Sequence, residues 1–407
     1  MKKTKPNWIP KALICGAMAA AFFFAAPKAA YALDYNVWVS GIRINDGNED
    51  DVFKDGTVRY KPASGGESAK LILNGANINS SHMDLTNWKQ YGIYTEEELK
   101  IELKGNNSIK LPLITPDSAH PYFDESYGIK TAGGVSLTLE GDGSLNITSA
   151  NSNTLVEGID SSADLTIKGN TKIKVDANES QSINNGQDFY GIYAANKLQI
   201  MENAKADVSG PTPKSRFFTD NFLIAGSHVE ISGNAQIELR KGMASGDIFG
   251  IRASTRGQIS GSAKVKIDNI GNANDFYGIW FADGMILGDS EIDIDAEGEY
   301  SANAVGLTMG GGMIAGSGKI EIDLKGESGV PVYGIHAPAN LPIEGSCKIE
   351  IMVKDGKSSS AAFVENPSLS GYAEAKVSAG DNKEGAASLE KEKYDQIKTK
   401  RYVKIAK

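Results

Sequence analysis

The residues of this chain best suited to chemistry follow a recurrent aromatic-Gly-aliphatic motif. On successive copies, the position after the motif aliphatic is Tyr193, Ala225, Arg252, Trp280, Thr308 and His336. Strand alternation turns these side chains outward and sets them in one row. Flat rings among hydrogen-bonding tips suit a sugar: the ring packs on the C–H face of a pyranose and the polar groups take its hydroxyls. Tyr193, Arg252, Trp280, Phe281 and His336 are therefore the expected ligand-binding residues, and a polysaccharide or other glycan the expected partner. The pair Trp280-Phe281 is expected to be the most exposed. Single aromatic residues at a surface are also ordinary.

A second set is acidic. Asp46, Asn48, Asp50 and Asp51 supply oxygen ligands around one turn, and calcium is the ion such a set would take. The helix-loop-helix calcium motif is absent: Asp51 stands where that loop needs Gly, and Thr57 where it needs Glu. Asp268, Asp293, Asp295 and Asp323 recur on successive repeats beside Lys264, Lys266 and Lys319, which reads as a solvated mixed-charge face.

Catalytic patterns are lacking. His82, His120, His228 and His336 have no ligand spacing. Gly316-Ser317-Gly318-Lys319 fails as a phosphate loop, because Met313 replaces its first Gly and Ile320 its Ser/Thr. A glycosidase on such a scaffold would need two or three carboxylates gathered on one face, and the Asn-Thr-Asp and Gly-His-Gly patterns of pectin hydrolases do not occur. The expectation is a protein that is not an enzyme. A polysaccharide lyase or hydrolase on the same scaffold is one alternative, and a purely structural spacer is another.

The elements that position these residues repeat. Motif glycines fall at 250, 278, 306 and 334, a spacing of 28 residues, and earlier copies carry Gly92, Gly128, Gly158 and Gly191. Each repeat holds short Ile/Val/Leu-rich pieces of period two, broken by Gly, Asn, Asp and Ser, which are strand and turn signals. The expected fold is all-β: a single-stranded parallel β-helix, or β-solenoid, of about ten coils with caps at both ends. Ile251, Ile279, Leu307 and Ile335 should stack inside, as should the Val265/Ile267 series. Tyr127, Tyr190, Phe249, Tyr277 and Tyr333 share the parity of the motif aliphatic, so an aromatic ladder facing inward or at a corner is expected, with the Gly supplying a bend. The segments are 1–32, an export signal; 33–90, an amino-terminal β cap; 91–382, the coils; and 383–407, a polar hinge with a closing strand.

Residues 1–32 combine a basic front, an apolar run from Ala12 to Ala26 and the small-x-small site Ala30-Tyr31-Ala32. They predict a secretory signal cleaved near Ala32, and a mature chain without a transmembrane segment, secreted or held at the cell surface. Loss of five lysines with this segment leaves 37 basic residues of 42 against 51 acidic, so the net charge moves from −9 to −14. That balance argues against nucleic acid as a partner. Cys347 is then the one cysteine left. No intramolecular disulfide can form, and stability must come from stacking and burial.

The amino-terminal region also resembles a family. Tyr35-Asn36-Val37-Trp38-Val39-Ser40-Gly41, the acidic turn Asn48-Glu49-Asp50-Asp51, Asp55-Gly56-Thr57-Val58, Leu71-Ile72-Leu73-Asn74 and the stretch Tyr127–Ile147 carry the resemblance, with Tyr402-Val403-Lys404-Ile405 at the other end. They are similar to secreted carbohydrate-binding-type β-helix proteins of Firmicutes and related gut bacteria. The resemblance implies polysaccharide binding at a cell surface, in some members with calcium. The insert at 111–126 and the missing Gly at 223 depart from the pattern.

Overall fold

The computed structural model describes residues 33–112, 123–148, 155–177, 187–211, 218–240, 242, 244–337, 341–357, 360–365, 367–369 and 375–406. The expected export signal of 1–32, His120 and most of the 111–126 insert lie outside them.

The chain winds into a three-sided ladder of parallel strands, a β-solenoid of about nine turns. The first face runs from Lys89–Thr95 through Glu125–Thr131 and Leu155–Ser161 to Ala273–Phe281, Tyr300–Met309 and Val332–His336. The second runs from Ala69–Asn74 through Leu99–Lys104 and Leu137–Gly141 to Ile343–Gly345. The third is a separate sheet that runs from Asn77–Ile78 through Asn106–Lys110 and Ser144–Thr148 to Lys348–Asp355.

Period-two patterning explains these faces. In Glu291–Glu297 the acids alternate with buried Ile292, Ile294 and Ala296, and a strand so patterned buries one face only. In-register stacking then sets like on like. Ile93, Ile129, Ile159, Ile192, Ile224, Ile251, Ile279, Leu307 and Ile335 pair rung by rung and are buried throughout. Val265/Ile267, Ile292/Ile294 and Ile320/Ile322 give two more columns. Each aliphatic side chain removed from water contributes about 1.5–3 kcal/mol, so the interior alone can hold a fold that has no disulfide.

Two glycine sets have different tasks. At the corner between the second and third faces, Gly233, Gly261 and Gly288 sit at φ 70°, 73° and 74°, a left-handed turn that resists side chains. The motif glycines do not make that bend. Gly278 instead faces inward, where an added Cβ would lie 2.6 Å from the Gly306 carbonyl oxygen and 3.1 Å from Ile294. Close approach between coils excludes a side chain there.

At the amino-terminal end, Asp34–Val39 runs antiparallel to both Ile42–Asn45 and the first coil strand Lys89–Thr95. Parallel stacking begins earlier than 91, since Ala69–Asn74 and Asn77–Ile78 already pair in parallel with the next coil. At the other end, Tyr402–Ala406 adds antiparallel to Lys348–Asp355 and to Lys376–Gly380. The 383–390 segment is not only a hinge: Ala387–Leu389 forms a strand, followed by a 3-10 helix over Lys391–Thr399. These antiparallel additions cover strand edges that would otherwise be free to pair with other chains.

Candidate aromatic and cationic ledge

The motif glycine shifts strand parity, and that shift builds the site. Phe276 is buried, Tyr277 half-buried, Gly278 points inward, Ile279 is buried, Trp280 is half-buried and Phe281 is buried. Two successive residues, Gly278 and Ile279, thus face the interior. As a result Tyr277 and Trp280 both stand on the outside of the first face.

Of the expected inward or corner placement, the inward one is corrected: the motif aromatics lie on the outer side of the strand, although Tyr91, Tyr127 and Phe222 are nearly covered there. They stack outside: Tyr91 on Tyr127 at 5.4 Å, Tyr190 on Phe222 at 4.6 Å, Phe222 on Phe249 at 5.1 Å and Phe249 on Tyr277 at 5.0 Å. These separations match the strand spacing of about 4.8 Å. The ladder is interrupted at Glu157, between Tyr127 and Tyr190, and at Val305, between Tyr277 and Tyr333.

Alongside runs the second outer row, in register from coil to coil: Tyr94, Lys130, Asp160, Tyr193, Ala225, Arg252, Trp280, Thr308 and His336. The two rows touch. Tyr94 lies 4.8 Å from Tyr91, Tyr193 5.3 Å from Tyr190, and the Lys130 ammonium 4.8 Å from the Tyr127 ring. Arg252 lies 5.1 Å from both Phe222 and Phe249 and 5.5 Å from Trp280. Cations over ring faces gain from the ring quadrupole, most where water is partly excluded. The cap prolongs the row, because Trp38 pairs with Tyr94 and Arg43 with Trp38, the guanidinium 5.0 Å over the indole. His82 stacks on Trp38 at 5.1 Å, and burial pushes its pKa down.

Of the expected ligand residues, the structure places Tyr193, Arg252 and Trp280 half-buried and His336 exposed, all in one row. Phe281 does not belong with them. It is 0 % exposed, and its ring fills the interior space left by Gly257, whose added Cβ would meet it at 2.2 Å. Alternation demands this: with Trp280 outside, its neighbour faces in.

The acidic turn is not gathered around a cation position. Asn48 spends its side-chain oxygen on the Asn45 amide and its NH2 on the Arg43 carbonyl. Asp51 accepts from the amides of Asp55 and Gly56, while Asp46 and Asp50 are exposed. Among the described residues no three His, Cys, Asp or Glu side chains converge as a metal site would need.

One cluster on the ledge could not be read from sequence. Where the ladder is interrupted, Glu157 is 5 % exposed and Asp160 2 %. Asp160 pairs with Lys130. Burial pushes the Glu157 carboxyl up to about 8 and the Lys130 ammonium down. Glu157 Oε2 and Asp160 Oδ1 are buried without hydrogen-bond partners.

A concavity of about 730 Å³ lies elsewhere, on the third face. It is lined by Lys172, Lys174, Lys205, Asp207, Glu238 and Lys264, among others. Its charges are largely neutralised in place, as by Lys264 with Glu291 at 2.6 Å and Lys174 with Asp176 at 3.2 Å. Comparison with protein-family models, with curated proteins and with solved structures returned no match.

Proposed function

We propose that this is an exported, non-catalytic β-solenoid that binds polysaccharide along the outer ledge of its first face. One observation carries the reading: Arg252 is held against Phe222, Phe249 and Trp280 in a row whose spacing is fixed by the hydrogen-bonded coils. A preorganised aromatic and polar surface costs little ordering on binding, and suits a ligand that is itself a regular polymer. The signal-like segment of 1–32, the acidic charge of the mature chain and the resemblance to secreted carbohydrate-binding β-helix proteins support a role outside the cell or at its surface. Glycan-array binding tests it. Wild-type protein should retain at least one polysaccharide class, and Trp280→Ala should lose it while keeping the wild-type fold.

The Glu157–Asp160–Lys130 cluster favours a second reading, a hydrolase. A carboxyl raised to about 8 beside an ion-paired one is the division of labour that acid–base cleavage uses. Both groups are almost wholly covered, which favours binding over cleavage. Release of reducing sugar by the wild type, abolished in Glu157→Gln, would establish the hydrolase instead.

A further inference from the structure

Resting on the ledge reading, we infer that the bound saccharide is acidic and that Arg252 takes its carboxylate or sulfate group. Stacking fixes the plane of the Arg252 guanidinium but uses none of its five N–H donors. Nε is buried without a hydrogen-bond partner, and no carboxylate of the described residues pairs with the side chain. Arg240 shows the contrast, held by Asp207 at 3.3 Å and Glu238 at 2.7 Å. A partly desolvated guanidinium with donors unspent is complementary to an anion, which would accept two parallel hydrogen bonds.

Small side chains flank the Arg252–Trp280 pair along the row. Ala225 occupies the coil before Arg252, so the gap from Tyr193 to Arg252 spans two strand spacings, roughly 9.6 Å. On its other side Arg252 faces Trp280, and beyond Trp280 comes another small residue, Thr308, whose Oγ1 is buried and unpartnered. The two small residues, Ala225 and Thr308, are three coils apart, about 14 Å along the rod. A saccharide laid along the axis could set an acidic group against Arg252 and a further ring against the free face of Trp280. In the lysine-lined trough of the third face, by contrast, Lys264, Lys174 and Lys266 already face Glu291, Asp176 and Asp268.

The test uses matched glycans that differ in charge alone: oligouronates and their methyl esters, and sulfated galactans and their desulfated forms. The acidic member of at least one pair should bind roughly tenfold or more tightly than its neutral form, as a charge-assisted pair in a half-buried place requires. Arg252→Met should erase that preference, and Arg252→Lys should keep part of it. The uronate and sulfate arms distinguish the two sources of the anion. Equal binding of charged and neutral forms, lost in Trp280→Ala but unchanged in Arg252→Met, would overturn the acidic assignment and leave the ledge standing. Absence of binding to every glycan by the wild type would overturn both.

Discussion

Gly250→Ala is the most informative single change to the scaffold, because the account makes close approach of coils the reason that the aromatics stand outside. A Cβ at this position would lie 2.4 Å from the Gly278 carbonyl oxygen and 3.0 Å from Ile267 Cδ1. The carbonyl is backbone of the next coil, paired in register through Phe249 and Tyr277, so it cannot swing aside as a side-chain tip would. Overpacking of this kind costs about 1–3 kcal/mol, offset in part by about 0.4–1 kcal/mol from the stiffer unfolded chain. A net destabilisation of about 1–2 kcal/mol is expected. Urea unfolding followed by far-ultraviolet circular dichroism would measure it as a lowered midpoint. Gly133→Ala is the control, since nothing lies within 4 Å of its Cβ position; it should be neutral within about 0.5 kcal/mol or slightly stabilising. Leu223 occupies the equivalent place in one native coil and is buried, so a coil can be built around a side chain there. A Gly250→Ala midpoint equal to wild type would mean that any coil relaxes as that one has, and that glycine does not set Phe249 outside.

Three further outcomes follow from particular residues. Phe281→Ala should cost about 3–5 kcal/mol, whereas Trp280→Ala should cost about 1 kcal/mol or less; similar losses would refute their assignment to opposite sides of one strand. Glu350 ties the closing strand: burial alone would raise its pKa, but Lys383, Lys404 and the Tyr402 hydroxyl bring it from 4.5 down to about 2. A depressed folded pKa stabilises above 4.5 and loses that contribution as pH falls towards 2; acid titration of unfolding should show the loss, and Glu350→Gln should flatten it. Burial pushes the Cys347 thiol up to about 11, so thiol reagents at pH about 8 should label it only when the chain unfolds, and rapid labelling of the folded protein would contradict its burial.

The period and interior columns were legible in the sequence because stacking needs the same residue class at the same place in every coil. Ile251, Ile279, Leu307 and Ile335 announce themselves at 28-residue intervals. The side of the aromatic ladder was misread because parity was counted straight through the glycine. A signal was present: Phe189, Ile248, Phe276 and Val332, each just before a motif aromatic, are also apolar and are buried. Both neighbours of the ladder cannot be inside unless alternation slips at Gly. Phe281 fails by the simpler rule that adjacent strand residues face opposite ways. The Glu157–Asp160–Lys130 cluster was invisible because it forms between coils, and register there depends on inserts of unequal length. Trp38 and Arg43 join the row through antiparallel cap strands, to which no repeat points.

The measurement that most directly tests the account is binding of one retained glycan by variants on two different faces. Trp280→Ala removes the ledge's indole, and Lys205→Ala with Lys264→Ala alters the 730 Å³ trough. The account predicts that calorimetry will show affinity lost in the first and kept in the second. Affinity kept in Trp280→Ala and lost in the lysine pair would move the binding face to the trough and contradict the central claim.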